Sequence, residues 1–503
     1  MKWIYKKIIY AVRAFKLNKD ESFFLNHYKQ SNDCNDTPKH NTILIQTPME
    51  HYHLIAFSQA IEVLNRNYNY KVVGLWPYSL KPLKKNRRVI EIIYQRLSAV
   101  IFLLLRKKWA KLYRVIGVSK MLNLENLNYK ERALCHREAK VIFSKIEKKS
   151  DVLKINFKGV CIGDLIYDSY IRLRSEKTVD IDDHFLYEVI YHSLASVKTL
   201  DLYFSQSKVN FFLTSYTSYI QHGVAVRVAL KHGVKVFSEG NFVQFFKPLS
   251  NSDAYHTPFF RNYKNEFKQL ECKKSALEKS ENELKDKFSG AIDKRIHPGL
   301  STSVNSVYHD VRDNFKGGYD GVVFLHDFFD APHAWGEMMF EDFWEWSIFT
   351  LSIIEKFSLN IAVKPHPNDI GGGVLELKKL FPNLDWIDSS VSNKAIFGSK
   401  IKFGISMYGS VLYELAYHGI VPISAAENPT SSFGFVIQPK TKDEYKNLLL
   451  SLSDLKALDN MDKEVLEFYY MHHFSHENGI DTSLSKLNIS KFGNDSCVLK
   501  SAV

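Results

Sequence analysis

Cysteine is scarce in this chain of 503 residues. The five present, Cys34, Cys135, Cys161, Cys272 and Cys497, stand far apart and form no CxxC pair. That argues against a zinc site and a disulfide framework and fits a reducing cytoplasm. No window approaches the ~20 consecutive apolar residues of a membrane span. The N-terminus lacks the uninterrupted apolar core of a signal peptide, so neither secretion nor a transmembrane anchor is expected. There is no low-complexity tract and no convincing internal repeat. Acidic charge does not dominate: Lys+Arg 67 against Asp+Glu 55 gives a formal charge of +12. That excess favours anionic partners such as acidic headgroups or phosphorylated small molecules. Nucleic acid is not expected, because the basic residues form no groove-binding motif.

What is present is apolar bulk. Hydrophobic residues make up 45% and aromatics 14% of a length that suggests two or three domains. Residues 1–40 open with "MKWIYKKIIYAVRAFKLNK", where Trp3, Ile4, Ile8, Val12 and Phe15 alternate with cations at near-helical spacing, a basic amphipathic helix. "SAVIFLLLRKKWAKLYRVIG", Ser98 to Gly117, repeats the combination. It reads either as a buried helix with a solvated basic end or as membrane contact. Together the two segments suggest a cytoplasmic protein peripheral at the inner leaflet.

Residues 41–260 alternate strand and helix: a strand at Thr42 to Gln46, a helix to about Leu64, a strand at Lys71 to Leu75. The pattern continues through "KGVCIGDLIYDSYIRLR", a long helix near Asp182 to Ser205, and a strand, helix and strand in "VNFFLTSYTSYIQHGVAVRVALKHGVKVFSEG". Residues 261–290 are highly charged and nearly free of glycine and proline, which reads as a solvated linker helix. Alternation resumes over residues 291–455, with "LDWIDSS" among the strand candidates, and residues 456–503 form a C-terminal helix and tail. The fold class is α/β, two Rossmann-like domains facing a cleft, in which ligands bind beyond the carboxyl ends of the strands.

Two stretches carry chemistry. In "IAVKPHPNDIGGG", Lys364 and His366 stand at a strand end, and the flanking prolines hold the imidazole in an extended turn suited to an anion. In "FGISMYGSVLYELAYHGIVPIS", Ser406, Gly409 and Ser410 fall between a strand and a helix, where free N–H groups and hydroxyls bind phosphate. Glu414, one turn on, can accept hydrogen bonds from a ribose. For an activating carboxylate the chain offers Asp164 and Asp168 in "IGDLIYDSY" and Glu239 in "VFSEGNF", any of them a general base or nucleophile, with Asp164 preferred for its glycine-led loop. His326, Asp327, Asp330, His333 and Glu337 match no metal signature and read as a sugar-binding loop. So do Glu50, His51 and His53 after the first strand.

These blocks resemble the nucleotide-sugar-binding half of GT-B glycosyltransferases. "KPHP", the glycine-serine helix start and "HGIVPIS" are similar to those of bacterial capsule and lipopolysaccharide biosynthesis proteins with a His-Pro motif, including Kdo transferases that use CMP-Kdo. "GVCIGDLIYDSYIR" and "GVVFLHDFFDAPHAWGEMMFEDFWEW" look like further blocks of that group, and the resemblance runs from Asn41 to about Leu450. It implies a GT-B-like fold and a nucleotide-sugar donor, a CMP-sugar favoured, with transfer to a glycan or lipid-linked acceptor and no bound metal or cofactor. His366 and Lys364 then face the donor phosphate, Ser410 lies beside them, and Glu414 lies near the ribose. Two alternatives stay open: a CDP-glycerol-type glycerophosphotransferase, and a noncatalytic scaffold of a membrane assembly complex.

Overall fold

The computed structural model describes residues 16–31, 41–65, 70–77, 89–239, 246–251, 253, 257–289, 317–367 and 372–475. The N-terminal half contains β1 (Thr42–Gln46), β2 (Lys71–Trp76), β3 (Val118–Asn123), β4 (Asn156–Phe157), β5 (Val160–Cys161), β6 (Val209–Thr214), β7 (Lys235–Glu239) and β8 (Phe246–Pro248). Six of them form one sheet in the order β3-β2-β1-β6-β7-β8, parallel except at β8. The central strand, TILIQ, is apolar on both faces and wholly buried, because helices cover the sheet on each side. Ile43 and Ile45 enter one core with Phe57 and Tyr113, while Leu44 enters the other with Tyr167 and Ile190.

The C-terminal sheet holds β9 (Gly321–Phe324), β10 (Ile361–Lys364), β11 (Phe403–Ser406) and β12 (Val421–Ser424) in the order β10-β9-β11-β12, all parallel. Single parallel bridges extend it at both edges, Trp386 to Val363 and Ile437 to Ile423. The expected strand "LDWIDSS" is therefore one bridge long. In both sheets the strand order reverses beside the first strand, at β1/β6 and at β9/β11, and such reversals are where α/β sheets open a crevice for ligands.

Other expectations need correction. Among the described residues Val160–Cys161 pairs only with Asn156–Phe157, as an antiparallel hairpin outside the main sheet. The helix after it, Gly163–Arg174, starts so close to the short helix Lys149–Leu153 that a Cβ on Gly163 would lie 2.3 Å from the Leu153 carbonyl oxygen. The charged stretch is not a solvated linker. Its helix Lys273–Ser289 buries Ala276, Ser280, Leu284 and Phe288, one residue per turn, in a core shared with Val465, Phe468 and Tyr469 of the helix Met461–His473. The basic segment at the N-terminus lies, up to residue 15, outside the described residues.

Candidate functional site

His366 follows β10 in the turn between Pro365 and Pro367, half-buried. Its ring stacks near that of His326, at 5.9 Å between centroids, and His326 stacks on Phe343 at 4.3 Å. Tyr408 completes the group, 5.0 Å from His326, with its hydroxyl donated to the Ala331 carbonyl at 2.7 Å. Burial, with the neighbouring His326 and Lys364, lowers the His366 pKa to about 4, so the ring is neutral near pH 7. Lys364 is 5% exposed and donates to the Ser389 carbonyl at 3.4 Å; burial lowers its pKa to about 8. A charged amine and a neutral imidazole two residues apart on one strand end can bind an anion together.

The second stretch divides. Gly409, at φ +125°, and Ser410 are exposed at the start of the helix Val411–Tyr417. Ser406 is buried, with its hydroxyl 3.0 Å from the Phe324 carbonyl, so it ties β11 to β9 rather than turning to a ligand. Glu414 receives Lys287 Nζ at 2.9 Å and faces Asn393 at 3.4 Å. Burial alone would raise its pKa, but the Lys287 cation prevails and lowers it.

On the N-terminal sheet, Glu239 at the end of β7 is fully buried and bonded to His53 Nδ1 at 2.6 Å. His53 Nε2 in turn lies 3.6 Å from the carboxylate of Glu50, which is 44% exposed. Burial drives the pair toward neutrality: the Glu239 pKa is raised well above the usual range, and that of His53 falls to about 3. His222 Nδ1 meets Gln46 Oε1 at 3.0 Å, and the same oxygen accepts from Ser215 Oγ at 3.0 Å, across the β1/β6 reversal. The ring of Tyr216 packs against both His53 and His222. His51 belongs to a different contact, 2.9 Å from Glu21.

The loop after β6 joins the two halves. It contains a π-helical turn, Tyr219–Gly223, that begins on a left-handed residue, Tyr219 at φ +61°. Both features recur at functional sites, where surrounding structure holds the strain. The Tyr219 hydroxyl lies 3.4 Å from Asp330 of the loop after β9, and Asp330 acts electrostatically on His366. Behind this contact the helix Gly163–Arg174 seats the second domain. Tyr167 donates to Asp342 at 2.6 Å, and Asp168 pairs with His333 Nδ1 at 2.6 Å, raising the His333 pKa against the effect of burial. Asp164 instead receives Arg227 at 2.6 Å, and this guanidinium outweighs burial to hold its carboxyl below the usual range.

Three of the polar residues of "FLHDFFDAPHAWGE" thus part company: His326 turns to His366, Asp330 to Tyr219 and His333 to Asp168. Among the described residues no group of three or more His, Cys, Asp or Glu side chains could hold a metal ion. Nothing in the sequence singles out Tyr219 or Tyr408, and nothing in QTPMEHYH sets His53 apart from Glu50 and His51. A left-handed tyrosine in a π-turn has no periodicity to betray it, and the partner of His53 lies 186 positions away.

No family model and no curated protein matches this chain. Solved structures similar to it include a glycosyltransferase from Rickettsia africae, at 11% identity over 93% of this chain and 99% of that one, TM-score 0.29. The UDP-GlcNAc 2-epimerase of Neisseria meningitidis bound to UDP-GlcNAc aligns at 9% identity over 90% of this chain and 99% of its own, TM-score 0.25. UGT2 of Phytolacca americana, complexed with UDP-2-fluoro-glucose and pterostilbene, aligns at 11% identity over 90% and 100%, TM-score 0.24. With TM-scores below 0.5, these likenesses assign this chain neither substrate nor mechanism. The two-domain α/β fold, GT-B-like in organisation, stands on the strand order and on the meeting of the two sets of strand-end loops.

Proposed function

We propose that this protein is a glycosyltransferase of surface-polysaccharide biosynthesis, capsule or lipopolysaccharide, that takes a nucleotide-linked sugar in its C-terminal half and an acceptor hydroxyl in its N-terminal half. One observation carries the reading. The residues fitted to hold phosphate and those fitted to take a proton lie at the carboxyl ends of two sheets whose loops meet at Tyr219 and Asp330.

The donor phosphate sits against Lys364 and His366, with Ser410 and the backbone at Gly409 beside them. Glu414, fixed by Lys287, accepts from the ribose. The acceptor hydroxyl gives its proton to Glu50, the solvent-accessible carboxylate of the Glu50–His53–Glu239 row, and its oxygen attacks the anomeric carbon. The bond from that carbon to the leaving oxygen breaks with its electron pair going to the nucleotide. His366 N–H and the Lys364 ammonium stabilise the charge that develops there. Within the row His53 and Glu239 are positioning residues, since both are fully buried. Asp164 could act as the base only by giving up Arg227, and Asp168 only by giving up His333.

A CMP-activated acidic sugar such as CMP-Kdo is the proposed donor. The His-Pro and glycine-serine blocks support it, as does the cation at Lys364, which suits a donor bearing both a phosphate and a carboxylate. A second reading, CDP-glycerol-type phosphotransfer, is favoured by His326, which adds a second imidazole beside His366. Incubation with CMP-Kdo, CMP-sialate, UDP-hexoses or CDP-glycerol and a cell-envelope acceptor separates them. CMP release from CMP-Kdo supports the donor; turnover of CDP-glycerol alone rejects it in favour of phosphotransfer. The reading includes a peripheral position on a membrane. Among the described residues no helix is long and apolar enough to cross one.

A further inference from the structure

We infer that the outer face of the helix Val89–Val115 is the surface by which this protein docks on an anionic lipid bilayer. The inference rests on the peripheral-membrane part of the function proposed above and identifies the residues that would make the contact. Toward the protein the helix buries Trp109, Leu112 and Tyr113. On the opposite side Leu103 and Leu104 are 57% and 42% exposed, and Lys107, Lys111 and Arg114 are exposed with them. At 100° per residue these five side chains fall within an arc of about 100°, with the cations between the two leucines.

An ordinary solvated helix face carries charges of both signs and few large apolar residues. This one carries one sign. From Ile92 to Leu124 the chain has no aspartate or glutamate, while it has seven lysines and arginines. Lys108 turns aside to Glu21 at 2.7 Å and Arg106 packs over Trp76, so the outward cations are Lys107, Lys111 and Arg114. Lys120, exposed on the neighbouring edge strand β3, adds to them. The helix Lys19–Ser31, which packs on this one, also exposes Phe23 and Lys19. Leucines that enter the headgroup boundary beside lysines that stay at the phosphates match an anionic leaflet in both polarity and charge.

The test is flotation of the full chain with vesicles of phosphatidylcholine alone and with 30% phosphatidylglycerol, at low and high salt, for wild type, Leu103→Ser/Leu104→Ser and Lys107→Glu/Lys111→Glu. Wild type is expected to float with anionic vesicles and to be released by salt, and each double variant to lose about tenfold or more in partitioning with an unchanged melting temperature. If wild type binds no vesicle, the membrane location itself falls. If wild type binds and both variants bind equally well, this face is overturned while the membrane location stands. Concentration-dependent dimers abolished by Leu103→Ser/Leu104→Ser, or retention on duplex DNA without vesicle binding, would overturn it in favour of a second copy or of nucleic acid.

Discussion

Replacing Lys364 with methionine should stabilise the protein while weakening its hold on the donor. The ammonium sits at 5% exposure with one long hydrogen bond, to the Ser389 carbonyl, and its pKa falls from 10.5 to about 8. That difference corresponds to about 3 kcal/mol of penalty for keeping the charge in the folded state at neutral pH. Methionine fills a similar volume without a charge, so it relieves most of the penalty. The C-terminal domain should then melt roughly 5–10 °C higher at pH 7. Because the folded lysine releases its proton before the unfolded one does, the penalty is full below pH 8 and fades as pH rises toward 10.5. The gap between variant and wild type should narrow over that window. Nucleotide affinity should move the other way, down roughly ten- to a hundredfold, the worth of a charge-assisted hydrogen bond to phosphate. Calorimetric melting at pH 7 and pH 10, with nucleotide titration at pH 7, measures both. A variant that melts below wild type at pH 7, or that binds nucleotide equally well, would refute the reasoning.

His366→Ala should reduce transfer at least about a hundredfold with a melting temperature close to wild type, since the prolines hold the turn; turnover by a folded variant at the wild-type rate would contradict the role. Glu50→Gln should lower kcat by about 10²–10⁴ and leave the donor Kd unchanged, because the base acts on the acceptor; an unchanged kcat removes Glu50 from the mechanism. Asp168→Asn should weaken the seating of the second domain. In wild type the contribution of His333 is full below its ordinary pKa of 6.5 and is lost as pH rises through its raised folded pKa, so the variant should lose more stability at pH 6 than at pH 9. Equal losses at both pH values would show that the pair does not titrate as described.

The strands were legible where both faces are covered. TILIQ, GVVF, IAVK, FGIS and VPIS are short apolar runs bounded by turns, and each is a fully buried strand of a parallel sheet. Edge strands were not legible: in VSKMLN Val118 is buried while the adjacent Ser119 and Lys120 are both exposed, so it lacks the alternation that marks a half-buried strand. The charged stretch misled because its apolar residues recur only once per turn, which still suffices to bury Leu284 against the C-terminal helix. At the site, a motif marks a residue and its backbone but not its distant partners. His366 could be picked from the two prolines around it. That Glu414 would be held by Lys287, Asp164 by Arg227 and Glu239 by His53 depends on elements 63 to 186 positions apart, whose meeting only the fold decides.

The proposed function requires a nucleotide bound at the carboxyl end of β10. A thermal-shift series with CMP, CDP, UDP, GDP and their sugar conjugates, run on wild type and on His366→Ala, tests it most directly. A ligand that binds only the folded chain stabilises it by about 2.7 kcal/mol at a hundred times its Kd. Wild type should melt higher with a cytidine nucleotide, most with a CMP-sugar, and His366→Ala should lose that response. No shift with any nucleotide, or a shift that persists undiminished in His366→Ala, would contradict the account.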